Sequence, residues 1–297
     1  MGIRLDPIRG LIVDDQLSQG SKYTTQAAVR YLDAAWRDRA ETPRIGSRES
    51  RRANTSFHNV TVHDARPRLA AGQIDLDRSG FTLTQHRTSV TDFRNADAVA
   101  ESYYSEMKEL VCRVTGASRA LVRSHLVRTE KRVDFNDGYA RFVHCDYNVA
   151  RLGEMAHELL ARDGVMPQEN WTYAWYNTWQ PFDHQVQNNP LAFIGWGSLP
   201  LPDVIDYFYT GHNQDSFYTG HNQDSLVAAP VYNPDHRWWY FPLMETTEIL
   251  IVKQLDSRPG RAVYCPHTSF DMPGAAPDSL PRRSFETRLL AVFENAA

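Results

Sequence analysis

The 297-residue chain is 42% hydrophobic and 23% charged, with a formal net charge of −4. That is the balance of a folded globular protein with a sizeable core, and it excludes disordered, collagenous and coiled-coil chains. No apolar run approaches the roughly 20 residues of a membrane-spanning helix, and the polar start has no signal-peptide core, so a cytoplasmic protein with no membrane partner is expected. Only three adjacent basic pairs occur, Arg51-Arg52, Lys131-Arg132 and Arg282-Arg283, so nucleic acid is not an expected partner.

In chain order, residues 25 to 37 carry apolar side chains at Ala27, Val29, Tyr31, Leu32, Ala35 and Trp36, a spacing that predicts a short helix. The Arg-rich stretch 38 to 52 reads as loop. Alternation over residues 59 to 63 and 81 to 85 predicts strands. From 95 to 115, Ala96, Val99, Ala100, Tyr103, Met107, Leu110, Val111 and Val114 recur at threes and fours, with Gly116 as the stop, so a helix is expected.

Beyond residue 120 the strands follow quickly. They are predicted over 120–127, 140–143, 172–179, 192–196, 225–230, 238–242, 248–254, 262–266 and 284–293. One helix over 149–161 interrupts them, with Leu152, Met155, Ala156, Leu159 and Leu160 on one face. Many short strands with Gly, Pro and Asn turns predict a mainly β protein with flanking helices, as a double-sheet jelly roll or a barrel. Residues 208–216 are repeated at once as 217–225. Two copies cannot make a solenoid, and the reading is a loop duplication, with a lid over a pocket as the functional alternative. His212 and His221, in identical copies, look replaceable rather than metal-ligating.

The three cysteines, Cys112, Cys145 and Cys265, have no CxxC spacing and suggest neither disulfides nor a thiolate zinc site. His144-Cys145-Asp146 is the one His-x-Asp in the chain. In extended backbone, residues two apart share a face, so imidazole and carboxylate could serve one metal. With eleven histidines and 36 acidic residues, about one such spacing arises by chance, so the motif alone is weak.

A later segment strengthens it. His267 ends the apolar run 262–266, and Arg282, Ser284, Glu286 and Arg288 would share one strand face. Two His and one carboxylate with open positions suit a non-haem Fe(II) oxygenase, and an Arg beside a hydroxyl suits capture of a carboxylate co-substrate.

The ordered series His144-x-Asp146, Asn177-Thr-Trp179-Gln-Pro181, Asn233-x-x-His236-x-Trp238-x-Tyr240, Met244, Glu248, Lys253-x-x-Asp256-Ser257, His267-Thr-Ser-Phe270 and Arg282-x-Ser284-x-Glu286-x-Arg288 resembles one group of iron enzymes. It is the cephalosporin methoxylase-like and fungal hydroxylase/desaturase family. The likeness extends upstream through Asp77-x-x-Gly80-Phe81, Asp92-Phe93, Tyr103-Tyr104-x-Glu106 and Gly116-Ala117, covering residues 58 to 293.

The resemblance implies a double-stranded β-helix (jelly roll, cupin-like) over residues 58–297, preceded by an N-terminal extension, 1–57. It implies Fe(II) on His144, Asp146 and His267, and 2-oxoglutarate with its far carboxylate on Arg282 and Ser284, with Arg288 as the rival anchor. The implied reaction oxidises an unactivated C–H bond of a small secondary metabolite with O2, by hydroxylation, desaturation or ring formation. Other readings are an iron oxygenase that does not use 2-oxoglutarate and a cupin-like binding protein without catalysis. A homo-oligomer is left open. One departure is Gln180, where the family pattern has Arg.

Several residues have plain structural readings beside the functional ones. Cys145 and Cys265 read as packing residues. Trp171, Tyr173, Trp175, Asn177 and Trp179 would share a strand face, either as aromatic core or, because Asn177 needs partners, as a pocket wall. His157 reads as a helix residue, and His236 as either structural or a substrate contact.

Overall fold

The computed structural model describes residues 23–129, 140–209 and 225–294. One five-stranded sheet runs in the order β1 (Thr24–Leu32), β3 (Thr55–Asp64), β10 (Trp238–Tyr240), β7 (Leu191–Ile194) and β12 (His267–Ser269). A second runs β4 (Phe81–Gln85), β11 (Glu248–Asp256), β6 (Thr172–Pro181), β13 (Ser284–Phe293) and β5 (Arg119–Arg128). A small third sheet joins β2 (Arg44–Ile45), β8 (Val204–Tyr209) and β9 (Ser225–Pro230). The two large sheets form the jelly roll that the sequence predicts.

The second sheet is covered on both sides, which explains its sequences. Every residue of β11 and β13 is buried, and β6 is buried after its first residue. Near-continuous apolar strands are what two-sided coverage requires. One face packs on helix α4 (Tyr104–Thr115) and the π-turn before it, where Val99, Tyr103, Met107, Leu110 and Val111 meet Ala174, Tyr176, Ile249, Ile251, Phe285 and Leu289. The helix stops at Gly116, whose φ of 73° is the left-handed conformation glycine adopts freely. The other face meets the first sheet, with Phe81 and Phe193 rings 4.4 Å apart. Helix α5 (Leu152–Arg162) adds Leu152, Met155, Ala156, Leu159 and Leu160 to the core shared by both sheets.

Four sequence expectations are corrected. Residues 25–37 are not helical: β1 pairs antiparallel with β3 along its whole length, with Ala27, Val29 and Tyr31 buried and Gln26 and Ala28 exposed. The true period is two, and only a one-turn 3-10 helix, Ala34–Asp38, follows. The stretch 38–52 is not all loop, since it holds β2 and most of α1 (Arg48–Asn54), capped by Ser47 Oγ accepting from Ser50 N. Residues 140–143 form no strand; isolated bridges begin only at His144 and Cys145. Residues 262–266 are buried but not strand, because Pro266 has no N–H to give a ladder, and pairing starts at His267. β8 is an addition, half-covered and with only Tyr207 buried. The duplicated segment falls mostly on residues 210–224, outside those described, as do His212 and His221.

Several motif residues prove to be scaffolding. A side chain at Gly80 would be strained, since its φ of 85° is left-handed and a Cβ there would lie 3.0 Å from Cys265 Cβ and 3.2 Å from Tyr264 O. Lys253, fully buried, donates to Asp77 Oδ1 at 3.0 Å and Asp256 Oδ2 at 2.7 Å. Arg258 closes on Asp256 through Nε at 2.9 Å and Nη2 at 2.6 Å, and Arg261 pairs with Asp77. These bonds tie the turn before β4 to the end of β11. Asp256→Ala leaves buried Lys253 and Arg258 with the half-exposed Asp77 as their remaining carboxylate, so a loss of about 3 kcal/mol of stability is expected, read as a lower urea midpoint.

The Asn233–His236–Trp238 motif is likewise structural. Trp238 Nε1 donates to Tyr31 Oη at 2.8 Å, Tyr31 Oη meets His236 Nδ1 at 3.0 Å, and His236 Nε2 lies 3.2 Å from Asp203. Among the described residues no helix is long and apolar enough to cross a membrane.

Candidate metal centre

His144 and His267 lie 123 positions apart in sequence but are bridge partners in space. His144 N donates to His267 O at 3.2 Å and His267 N to His144 O at 3.0 Å, so both side chains leave the sheet together with rings 4.7 Å apart. Each Nδ1 faces a carbonyl two residues back, Phe142 O at 2.6 Å for His144 and Cys265 O at 3.2 Å for His267. A proton on Nδ1 leaves each Nε2 lone pair to ligate, the usual arrangement of metal-binding histidine. Asp146 follows, and the ligand atoms of His144, Asp146 and His267 all lie within 4.8 Å of one another. This is the one such cluster among the described residues.

The electrostatics keep His267 and Asp146 in their ligating forms. Burial, then the neighbouring His144, lowers His267 to a pKa of about 4, so it is a neutral imidazole near neutral pH. Burial alone would raise the Asp146 carboxyl, but Arg288 first, then His144 and His267, outweigh it and hold it well below the usual carboxylate range. Two imidazoles, that of His267 neutral, and one carboxylate with open positions fit Fe(II).

His125 and His236 are also lowered, chiefly by burial. An unfolded imidazole protonates near pH 6.5 while His267 stays neutral to about 4, so its contribution to stability is full above pH 6.5 and lost as pH falls toward 4. The metal-free protein at pH 5 is therefore expected to be less stable by about 2 kcal/mol from His267 alone. Urea midpoints at pH 7.5 and pH 5 measure it.

Facing the ligands are β6 and β13 of the second sheet. Ser284, Glu286 and Arg288 share one face of β13, and register sets Trp179 beside Glu286 and Asn177 beside Arg288. Arg288 Nη2 lies 3.1 Å from Asp146 Oδ1, and its Nε donates to Glu286 Oε1 at 3.0 Å. Asn177 Nδ2 donates to Asp146 Oδ2 at 2.5 Å. Arg282 is not on the strand with the other three but just before it; it is fully buried, donating through Nη1 to Asn189 O at 2.9 Å, with its guanidinium 5.3 Å from the Trp179 ring centre. Ser284 Oγ and Trp179 Nε1 are buried with no hydrogen-bond partner among the described residues.

The stripe Tyr173, Trp175, Trp179 is core, and Asn177 within it reaches the Asp146 carboxylate. Cys145 and Cys265 are packing residues in the apolar clusters, and His157 is exposed on α5. Gln180 lies on the opposite face of β6, where Tyr103 Oη donates to its Oε1 at 2.8 Å and its Nε2 donates to Thr246 O at 2.7 Å. The departure from Arg at this position does not reach the metal centre. Two contributors escaped sequence reasoning. Gln254 Oε1 accepts from Asp146 N at 3.2 Å, and its signal is a polar residue in an apolar strand. The Asn189 carbonyl is presented from a left-handed residue at φ 53°, and its signal is the Asn-Asn-Pro turn.

A family model described as an oxidoreductase/YMDC permease-like domain matches residues 29–293. The hydroxylase/desaturase efuI of Hormonema carpetanum is 30% identical over 274 residues, covering 85% of this chain and 89% of the relative. The alpha-ketoglutarate-dependent dioxygenase phiK of a fungal species is 29% identical over 258 residues, covering 82% and 86%. The solved structure of the iron and alpha-ketoglutarate-dependent endoperoxidase NvfI superposes with a TM-score of 0.77 at 23% identity, over 93% of this chain and all of that one. With that coverage, and with the His-Asp-His cluster assembled between its sheets, the chain belongs to the fungal hydroxylase/desaturase family of Fe(II)/2-oxoglutarate-dependent oxygenases.

Proposed function

We propose that His144, Asp146 and His267 hold Fe(II) and that Arg282, with Ser284, anchors the far carboxylate of 2-oxoglutarate, for oxidation of a C–H bond in a small secondary metabolite. The observation that carries this is the backbone bridge between His144 and His267, which brings two imidazoles to one buried carboxylate. Bound together, iron and 2-oxoglutarate supply O2 activation, with release of succinate and CO2.

The chain's own residues bind, orient and exclude water. Arg282 offers a planar fork suited to a carboxylate, and the buried hydroxyl of Ser284 lies two residues on. Arg288 is less suited to that role, since its guanidinium already spans Asp146 and Glu286. Phe193, paired with His267 in the ladder, and Trp179, paired with Glu286, are buried apolar neighbours of the centre, which favours positioning an apolar C–H bond and keeps bulk water from the reaction. The names of the relatives include hydroxylase, desaturase and endoperoxidase, so the outcome follows from which substrate atom these neighbours set beside the centre.

The test is spectroscopic. Anaerobic protein given Fe(II) and 2-oxoglutarate should develop a weak visible charge-transfer band, and admission of O2 should yield succinate. No band and no succinate would refute the proposal.

A further inference from the structure

Asp146 lacks the support that a strand gives. It follows the isolated bridges at His144 and Cys145, so no ladder fixes its side chain. Its carboxylate is fixed instead from the opposite sheet. Asn177, 3% exposed on β6, donates through Nδ2 to Asp146 Oδ2 at 2.5 Å, and the same nitrogen lies 3.4 Å from Glu286 Oε1. Arg288 spans the same two carboxylates, with Nη2 3.1 Å from Asp146 Oδ1 and Nε 3.0 Å from Glu286 Oε1.

Amide and guanidinium thus form two rungs between a metal-ligand carboxylate and Glu286. Glu286 is the fixed post, because it sits mid-strand in β13 with β5 on one side and β6 on the other. Two carboxylate acceptors around one amide leave its orientation no choice: the nitrogen must face them.

We propose that Asn177 is a positioning residue that selects the oxygen Asp146 presents to the metal, an inference that rests on the triad reading above. The amide holds Oδ2, so Oδ1, which also accepts from Arg288 Nη2 at 3.1 Å, is the oxygen turned toward the imidazole side, 3.5 Å from His144 Nε2. The sequence alone shows only an unexplained amide in an aromatic stripe. The structure gives it a partner and a task.

The full-length protein titrated with Co(II), without 2-oxoglutarate, tests this through affinity and the visible d–d spectrum. Asn177→Leu, of similar volume, and Asn177→Ala should each weaken Co(II) binding by about 10- to 100-fold, the range for losing a partner of a metal ligand. Each should also alter the d–d band, because Oδ2 is freed to approach the ion. One folded variant of the two is enough. Thr178→Val, one residue along β6 on the opposite face, where the hydroxyl meets Met107 Sδ, should leave both readouts unchanged. Wild-type affinity and band in the Asn177 variants overturn this inference and leave the triad standing. Equal Co(II) binding by wild type and His144→Ala overturns both.

Discussion

His267→Ala is expected to abolish the visible charge-transfer band and to reduce succinate formation by about 10³-fold or more, a barrier increase of about 4 kcal/mol. His144→Ala and Asp146→Ala should match it in activity, but Asp146→Ala should differ in stability. The two histidines contribute to the sheet through backbone N–H and C=O groups, which alanine keeps. Asp146 accepts from Arg288 and Asn177, so its removal also leaves a buried guanidinium and a buried amide short of an acceptor. Asp146→Ala should therefore melt at a lower temperature than His267→Ala. A band that survives in His267→Ala would place the metal elsewhere.

Arg282→Ala is expected to raise the KM for 2-oxoglutarate by about 10- to 100-fold, the equivalent of one charge-assisted hydrogen-bonded contact, with Fe(II) affinity unchanged. Arg288→Ala should do the converse, weakening metal binding through Asp146 while leaving the KM for 2-oxoglutarate near wild type at saturating iron. Arg282→Lys keeps the charge but loses the planar fork, so it should recover only part of the loss. The opposite pattern, with co-substrate affinity lost in Arg288→Ala, would transfer the anchor to Arg288.

The chemistry of the centre was more legible in the sequence than its supports were. His-x-Asp, a later His and the alternating Ser284, Glu286 and Arg288 carry their meaning in residue type and spacing, and side-chain alternation alone puts the last three on one face. What joins His144 to His267 is a long-range backbone pairing, which no local pattern encodes. The same limit explains the misread ends. Over residues 25–37 a helical spacing and a strand spacing coexist, and pairing with β3, set by tertiary structure, decides between them. The run 262–266 is apolar because it is buried, not because it is paired.

Motif residues also divided in a way that sequence could not foresee. Asn177 bonds to the Asp146 carboxylate, whereas Lys253, Asp256, His236 and Gln180 hold the scaffold together at a remove from it. All are buried polar groups, and only their partners distinguish the two roles.

The β8–β9 hairpin gives the duplicated nonapeptide an unusual freedom. Its first residue, Phe208, lies in β8, and its last, Ser225, begins β9, where it pairs with Tyr209. Because both copies start with Phe-Tyr and end with Ser, excising either one restores the same residues at both strand ends. Slippage between the two coding repeats could lengthen or shorten this connection in a single genetic event without shifting the register of β8 on β9. The number of residues between these two strands is thus an evolutionary dial separate from their pairing.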